Sequence, residues 1–279
     1  MSTECGSVWL LPVLGSGFAY AAMFIPYIIG ASNGHIPAVL PFISDGGVFP
    51  PESCIFSQFF NMASVFLMAT VYVRHRLVVE YYGHRLQHHG RWWRRVSLVL
   101  AFFGFFSTFC ITLVANFSEQ DQPYVHGISA SLAFLIGILY IWGQAILALR
   151  LSPRMASPIV NWLRVLICII ATVSLILHEV SLQSSIFLPP NTPPDKRTQY
   201  AVKFYDKDSP YYKQHIIATS AEWSMVISFF LFVLSFAIEL RGTFVRPPRA
   251  FFRFSNPTQT NGANWQTEEH CTQRAVYGS

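Results

Sequence analysis

Six long apolar runs set the strongest constraint on how this chain folds. They occupy residues 8–30, 54–73, 96–115, 124–149, 162–182 and 216–238. About 20 consecutive apolar residues are enough for a helix to cross a bilayer. Only 12% of the residues are charged, about half the share found in a soluble domain. The sequence therefore predicts an all-α fold, a six-helix transmembrane bundle, rather than a soluble globular domain.

The arginines are distributed unevenly between the two sides of such a bundle. An even number of spans puts both chain ends on one side, together with the second loop (74–95), the fourth loop (150–161) and the tail. Every arginine except Arg197 lies in these segments or at Arg164, close to the fourth loop. Because basic residues favour the cytoplasmic side, we expect both termini to be cytosolic. Residues 1–240 then form the membrane domain, and residues 241–279 form a flexible cytosolic tail.

The arginine-rich second loop has two interpretations. It is either a topology signal alone or a surface that holds anionic lipid head groups, to which each basic residue contributes about 1 kcal/mol. The candidate contacts are Arg74, Arg76, Arg91, Arg94 and Arg95. We also expect the charged residues 74–76 to end the second span, because charged side chains are costly inside the hydrocarbon.

Glu222 is the most unusual residue of the spans, because it lies about two turns into the sixth apolar run. A carboxylate there costs several kcal/mol unless it is paired, hydrated or protonated. The other polar side chains that fall in the same, luminal half of the bilayer are Asn61, His126, His178, Glu179 and Ser224. The sequence therefore predicts a layer of polar side chains in the luminal leaflet.

Three accounts of this layer are open. In the first, Glu222 accepts from Asn61, Ser224 or a histidine in a purely structural hydrogen-bond network. In the second, the layer lines a pocket for a lipid head group or a sterol. In the third, His178 with Glu179 or Glu222 supplies the acid and base of an intramembrane lipid-modifying enzyme. His178 and Glu179 are neighbours in sequence, so on a helix they are poor partners for each other.

Other chemistry has little support in the sequence. No nucleophile motif and no metal-ligand spacing is present, so we expect no catalytic residue, no metal and no cofactor. A net charge of +5 in a membrane protein does not indicate nucleic-acid binding. Asn116 begins a glycosylation acceptor pattern, but it abuts the membrane and we expect it to stay unmodified. Cys54 and Cys110 are expected to remain free. The first loop is rich in Pro and Gly, which set turns, so it is predicted to be ordered.

Several motifs together resemble the damage-regulated autophagy modulator (DRAM) family. PFISD at 41–45 and PPESCIF at 50–56 look like its first-loop signature, and Asn61, ATVYVR at 69–74, ANF at 115–117, WLR at 162–164 and AEWSM at 221–225 fit the same pattern. The first-loop motif is also similar to the transmembrane-150 branch of the same superfamily, which reaches to the Sfk and Frag proteins. The AEWSM motif and the lysine-rich fifth loop (183–215) favour the DRAM branch.

The resemblance implies six spans, residence in lysosomal or related endomembranes, and promotion of autophagy without a known enzyme activity. We therefore expect a non-enzymatic multi-pass membrane protein that modulates autophagy from lysosomal or endosomal membranes, with lipid binding in the luminal polar layer. The transmembrane-150 and Sfk relatives imply an alternative, a plasma-membrane scaffold that recruits phosphoinositide kinases. The expected partners are membrane lipids and autophagy or lipid-kinase machinery, and no nucleic acid.

Overall fold

A computed structural model describes residues 7–87, 92–193, 195 and 202–244. Throughout these residues the fold is helical and contains no strand. A 3-10 turn, Ile43–Gly47, lies in the first loop, and a π-helical segment, Val79–Arg85, extends the second helix. The α-helices are α1 Leu10–Asn33, α2 Glu52–Val78, α3 Trp92–Asn116, α4 Pro123–Arg150, α5 Pro158–Gln183, α6 Tyr212–Leu234 and the short α7 Ala237–Leu240. The predicted tail lies almost entirely outside the described residues.

Six helices in the described part of the chain are long and apolar enough to cross a membrane. This confirms the predicted all-α fold with six spans, although most helices extend several residues beyond the apolar runs. The second helix departs most, because it continues from Glu52 to Arg85, beyond residues 74–76, while the point at which it leaves the hydrocarbon stays a prediction. Arg74 is tolerated inside the helix because it is enclosed by other helices and paired with an acid, as described below.

The helices pack so that each contacts the next along the chain, and α6 returns to contact α1. One apolar cluster joins Val8 to Val78, Leu151 and Leu240, and a second joins Ile43 to Ala115. We call the end that holds the turn Ile43–Gly47 the first-loop end, and the end that holds Val8 and Leu240 the terminal end. The first and last helical segments of the membrane domain, near Val8 and Leu240, therefore meet at the terminal end. That the terminal end faces the cytosol stays a prediction.

Polar side chains of α1 form hydrogen bonds with the backbone of α6. The Ser16 hydroxyl donates to the Phe230 carbonyl at 3.0 Å, and the Tyr20 hydroxyl donates to the Ile227 carbonyl at 3.2 Å. The Phe230 and Ile227 carbonyls of α6 thus each accept a hydrogen bond from a side chain of α1. Because α6 is held in this way, the direction of its polar residues, including Glu222, is fixed relative to the first loop.

Candidate functional site

The first loop is folded onto α6 at the first-loop end of the bundle. The backbone N–H of Ile43 donates to Glu222 Oε2 at 2.9 Å, and the indole N–H of Trp223 donates to the Pro41 carbonyl at 2.8 Å. Gly46 lies so close to Pro26 of α1 that an added Cβ would be 3.1 Å from the proline ring. Two consecutive residues of α6, Glu222 and Trp223, therefore bind the loop.

Aromatic rings fix the inner part of the same loop. The ring of Phe42 stands edge-on to His178, with 6.1 Å between ring centroids, and edge-on to His215, with 5.2 Å between centroids. His178 Nδ1 lies 3.1 Å from the Ala218 carbonyl and donates to it, because a carbonyl can only accept. His178 thus joins α5 to α6 and supports Phe42, which is a structural arrangement rather than that of a free base.

Glu222 does not have the partners that the network account predicted. It is buried, with 7% of its surface exposed, and its partner is the Ile43 backbone rather than Asn61, Ser224 or a histidine. Ser224 bonds instead to the hydroxyl of Ser174 at 3.0 Å. Glu222 Oε1 has no hydrogen-bond partner among the residues that the structure describes. One carboxylate oxygen therefore holds the loop and the other is free to bind something else.

The remaining predicted polar residues lie at the same end but in separate pairs. Asn61 and Asn116 exchange two amide hydrogen bonds, of 3.0 and 2.9 Å. His126 Nδ1 donates to the Phe117 carbonyl at 2.8 Å. Glu179 accepts from Gln183 one turn later at 2.6 Å. The structure thus brings these side chains to one end of the bundle without joining them into one site.

Two acids at this end were not among the predicted site residues. Asp45 is buried, its Oδ2 accepts from the Phe42 N–H at 2.8 Å, and Glu119 accepts from the Ser44 hydroxyl at 3.2 Å. Burial raises the pKa of Asp45 well above its usual range, and the charges of Glu119 and Glu222 raise it further. The turn sequence Ser-Asp-Gly-Gly around Asp45 was the available signal, because Asp commonly caps such turns.

An apolar cavity of about 120 Å³ opens inside the bundle beside Glu222. Residues of α2, α3, α4 and α6 line it, and its lining is almost entirely hydrocarbon. Ser44, His126 and Glu222 lie along it at the first-loop end, whereas Tyr140 and Val233 line it towards the terminal end. The carboxyl group of Glu222, whose Oε1 has no hydrogen-bond partner among the described residues, therefore lines a largely apolar space.

A buried group of three charged residues holds the terminal end together. Arg164 makes two parallel hydrogen bonds to Glu239, each 3.1 Å long, and Arg74 lies 3.1 Å from the second Glu239 oxygen. The Phe236 ring stacks with both guanidinium groups, at 5.0 Å from Arg74 and 5.2 Å from Arg164. The exposed fractions are 1% for each arginine and 2% for Glu239. We call Arg74, Arg164 and Glu239 the charged triad, and it ties α2, α5 and α7 together.

The candidate contacts for anionic lipid divide into three groups. Arg76, Arg94 and Arg95 are exposed, so their guanidinium groups can reach a head group. Arg74 is a correction, because its burial and its ion pair with Glu239 leave it out of reach of any head group. Arg91 lies outside the described residues.

The described residues contain no group of three or more His, Cys, Asp or Glu side chains that could hold a metal ion. Among the described residues, Cys54 is exposed, Cys110 and Cys168 are buried, and none of the three is in a disulfide.

Two substitutions of Glu222 should separate its role in holding the loop from the role of its charge. Glu222→Gln keeps an oxygen for the Ile43 N–H, so we expect little change in stability. Glu222→Leu leaves that buried N–H without an acceptor, which should cost about 1–3 kcal/mol. Thermal unfolding of the purified protein in detergent, with hydrogen exchange at residues 41–47, measures both. Equal unfolding temperatures for the two variants would contradict the role of Glu222 in holding the loop.

Comparison with known proteins identifies relatives along nearly the whole described chain. The family model described as the Frag1/DRAM/Sfk1/Cwh43P N-terminal domain matches residues 7–243. DNA damage-regulated autophagy modulator protein 2 of Mus musculus is 33% identical over 219 residues, which cover 78% of each chain. DNA damage-regulated autophagy modulator protein 1 of Homo sapiens is 29% identical over 241 residues, 85% of this chain and 92% of the relative.

A third relative comes from the transmembrane-150 branch. The modulator of macroautophagy TMEM150B of Xenopus tropicalis is 28% identical over 176 residues, 62% of this chain and 73% of the relative. No solved structure matches the chain. The similarity to the two DRAM proteins covers more of the chain, in agreement with the motifs of the first loop and of α6.

Proposed function

This chain belongs to the Frag1/DRAM/Sfk1/Cwh43P family, and from that membership we propose that it promotes autophagy as a non-enzymatic, multi-pass protein of lysosomal or endosomal membranes. The observation that carries the proposal is the similarity to proteins named as autophagy modulators, which extends over more than three quarters of the chain. Six helices of sufficient length and hydrophobicity support residence in a membrane. Lysosomal or endosomal residence follows only from what the resemblance implies.

The mechanism that we propose is lipid binding at the first-loop end of the bundle. Its support is the apolar cavity beside Glu222, together with the unpartnered Glu222 oxygen. A ligand in this cavity would contact both the first loop, through Ser44, and the helices, through Val226. Occupation of the cavity would therefore change how the loop sits on α6, and the loop is the part available to partner proteins outside the bilayer.

The test of this function is rescue of autophagic flux in cells that lack the protein. Re-expression of the wild type should restore the degradation of an autophagosome marker. This degradation should stop when lysosomal acidification is blocked. Ala130→Leu fills the cavity and should restore flux much less well. Ser131→Leu, one residue away and facing outward, should restore it fully and serves as the control. Failure of the wild type to restore flux would contradict the proposed function.

A second candidate function is a plasma-membrane scaffold that recruits phosphoinositide kinases. The observation that favours it is the exposure of Arg76, Arg94 and Arg95 near the terminal end, because exposed arginines attract anionic lipids and acidic partners. Localisation of a tagged protein separates the two candidates. A plasma-membrane signal with no lysosomal or endosomal pool would support the scaffold and contradict the first proposal.

The lipid-modifying enzyme is the least supported candidate. His178 and Glu179 bond to different partners, the Ala218 carbonyl and the Gln183 amide, so they do not form an acid–base pair. The named relatives are modulators of autophagy. If Glu222→Gln, His178→Ala and Glu179→Gln leave the lipid composition of membranes unchanged, enzyme activity at these residues is excluded.

A further inference from the structure

The cavity beside Glu222 is long and narrow. Its lining runs from His126 to Ile141 along α4, which is about 22 Å at the helical rise, and from Glu222 to Val233 along α6, which is about 17 Å. One leaflet of a bilayer is comparably deep, about 15 Å. A cavity of about 120 Å³ must widen to hold any lipid, and one unbranched hydrocarbon chain needs the least widening because it is thinner than two acyl chains or the fused rings of a sterol. Movement of the lining Phe134 and Phe229 side chains would provide this space.

The polar end of the cavity offers hydrogen-bond acceptors and few donors. Glu222 Oε1 is unpartnered among the described residues. The Ser44 hydroxyl uses its hydrogen on Glu119, so its remaining capacity is to accept. His126 uses Nδ1–H on the Phe117 carbonyl, and in the neutral imidazole Nε2 is left as an acceptor. A ligand head group that satisfies this end must therefore supply N–H or O–H donors.

The charge around this end also selects the head group. Glu222 lines the cavity, Glu119 bonds to Ser44, and Asp45 follows Ser44 in the chain. Lys203 is the cation that acts on Asp45 from the fifth loop. No lysine or arginine of the described residues lines the cavity, so a carboxylate or phosphate head group would have no counter-charge there, whereas an ammonium group can pair with Glu222.

We propose that the cavity binds a single-chain lipid whose head group is an amine bearing hydroxyl groups, with the amine at Glu222 and the chain directed towards Tyr140. This inference rests on the proposed lipid-binding function and names the ligand class for that site. The ammonium group donates to Glu222 Oε1, and a hydroxyl group donates to Ser44 or His126. The hydrocarbon chain runs between α4 and α6, out of contact with water.

The experiment uses the full chain in phosphatidylcholine nanodiscs with three photoreactive probes. Sphingosine represents the single-chain amine, palmitic acid represents a single chain with an anionic head, and cholesterol represents a sterol. Cross-linked residues are mapped by mass spectrometry. We expect sphingosine to label residues that line the cavity, such as Ala133, Gly137 and Val226, and the other two probes to leave them unlabelled.

Substitutions then test the two ends of the ligand separately. Glu222→Gln keeps the bond to the Ile43 N–H but removes the charge, so sphingosine labelling should fall about tenfold or more. Ala130→Leu should lower labelling to a similar extent by occupying the slot, whereas the outward-facing Ser131→Leu should not change it. The wild-type labelling pattern itself requires no variant, so a misfolded variant cannot decide the result.

The possible results of these experiments test the head-group assignment, the binding site and the proposed function separately. Labelling of the cavity by palmitic acid or cholesterol at the level of sphingosine would overturn the amine assignment and leave lipid binding in place. Labelling by none of the three probes would overturn the ligand inference and its site. Failure of the wild type to restore autophagic flux, measured separately, would contradict the proposed function whichever probe binds.

Discussion

Glu239→Gln is expected to destabilise the protein by about 3–5 kcal/mol, the cost of breaking a buried ion pair by removing one partner. The substitution keeps the shape of the side chain but leaves Arg74 and Arg164 as two buried positive charges facing each other. Both guanidinium groups are 1% exposed, so water cannot replace the lost carboxylate. Thermal unfolding in detergent should show a decrease in Tm on the order of 10 °C.

The arginines of the charged triad should not be equivalent. Arg164 bonds to both Glu239 oxygens and also donates to the Ser235 hydroxyl at 2.8 Å. Arg74→Met leaves this pair intact and electrically neutral, so it should cost least. Arg164→Met removes the bidentate pair and should cost more, and Glu239→Gln should cost most.

The matched control is Glu179→Gln, which changes a carboxylate bonded only to Gln183 on its own helix and should shift stability by less than about 0.5 kcal/mol. Equal losses for all three triad substitutions, or a Tm unchanged by Glu239→Gln, would show that the triad does not hold the terminal end together.

Asp45 should make the protein less stable as the pH rises. Its pKa in the folded protein is raised by burial, then by Glu119 and Glu222, whereas the Phe42 N–H and Lys203 oppose the rise. Its pKa in the unfolded chain is about 3.9. The stabilisation is therefore complete below that value and is lost as the pH rises through the folded-state pKa. Asp45 Oδ1 is buried with no hydrogen-bond partner, and an ionised oxygen in that position costs about 1–3 kcal/mol.

Asp45→Asn tests this expectation because it keeps an oxygen for the Phe42 N–H and cannot ionise. Unfolding temperatures measured from mildly acidic to mildly alkaline conditions should decline for the wild type and decline less steeply for the variant. Asp121→Asn, at an exposed position in the third loop, should follow the wild type. A wild-type Tm that rises with pH, or an Asp45→Asn profile as steep as that of the wild type, would refute the role of Asp45.

The number of spans could be predicted from the sequence because an apolar run long enough to cross a bilayer is a local property. The continuation of the second helix past Arg74 could not be predicted, since the acid that pairs with Arg74 lies far along the chain. Glu239 lies 165 residues from Arg74 and 75 from Arg164. In the sequence, Arg74, Arg164 and Glu239 are three separate charges, so Arg74 was predicted to contact anionic lipid head groups.

The candidate site was also predictable from the sequence only in part. The position of Glu222 within the sixth run was visible as an anomaly in an apolar segment, and so was the collection of polar residues at one end. Its actual partner is a backbone N–H, and every residue except proline carries one. No side-chain pattern in the sequence could single out Ile43, which lies 179 residues away, or predict that one Glu222 oxygen would face a cavity.

The last two helices of the domain complete the two ends of the bundle, α6 at the first-loop end and α7 at the terminal end, and this sets the order in which these contacts can form during synthesis. Before α6 is synthesised, the Ile43 N–H lacks its Glu222 acceptor and the bond from Trp223 to Pro41 cannot form. Before α7 is synthesised, Arg74 and Arg164 lack their counter-ion, Glu239. The contacts that complete the two ends of the bundle therefore form only after the last part of the domain has been synthesised. A chain that ends before Glu239 would leave both buried arginines without their counter-ion.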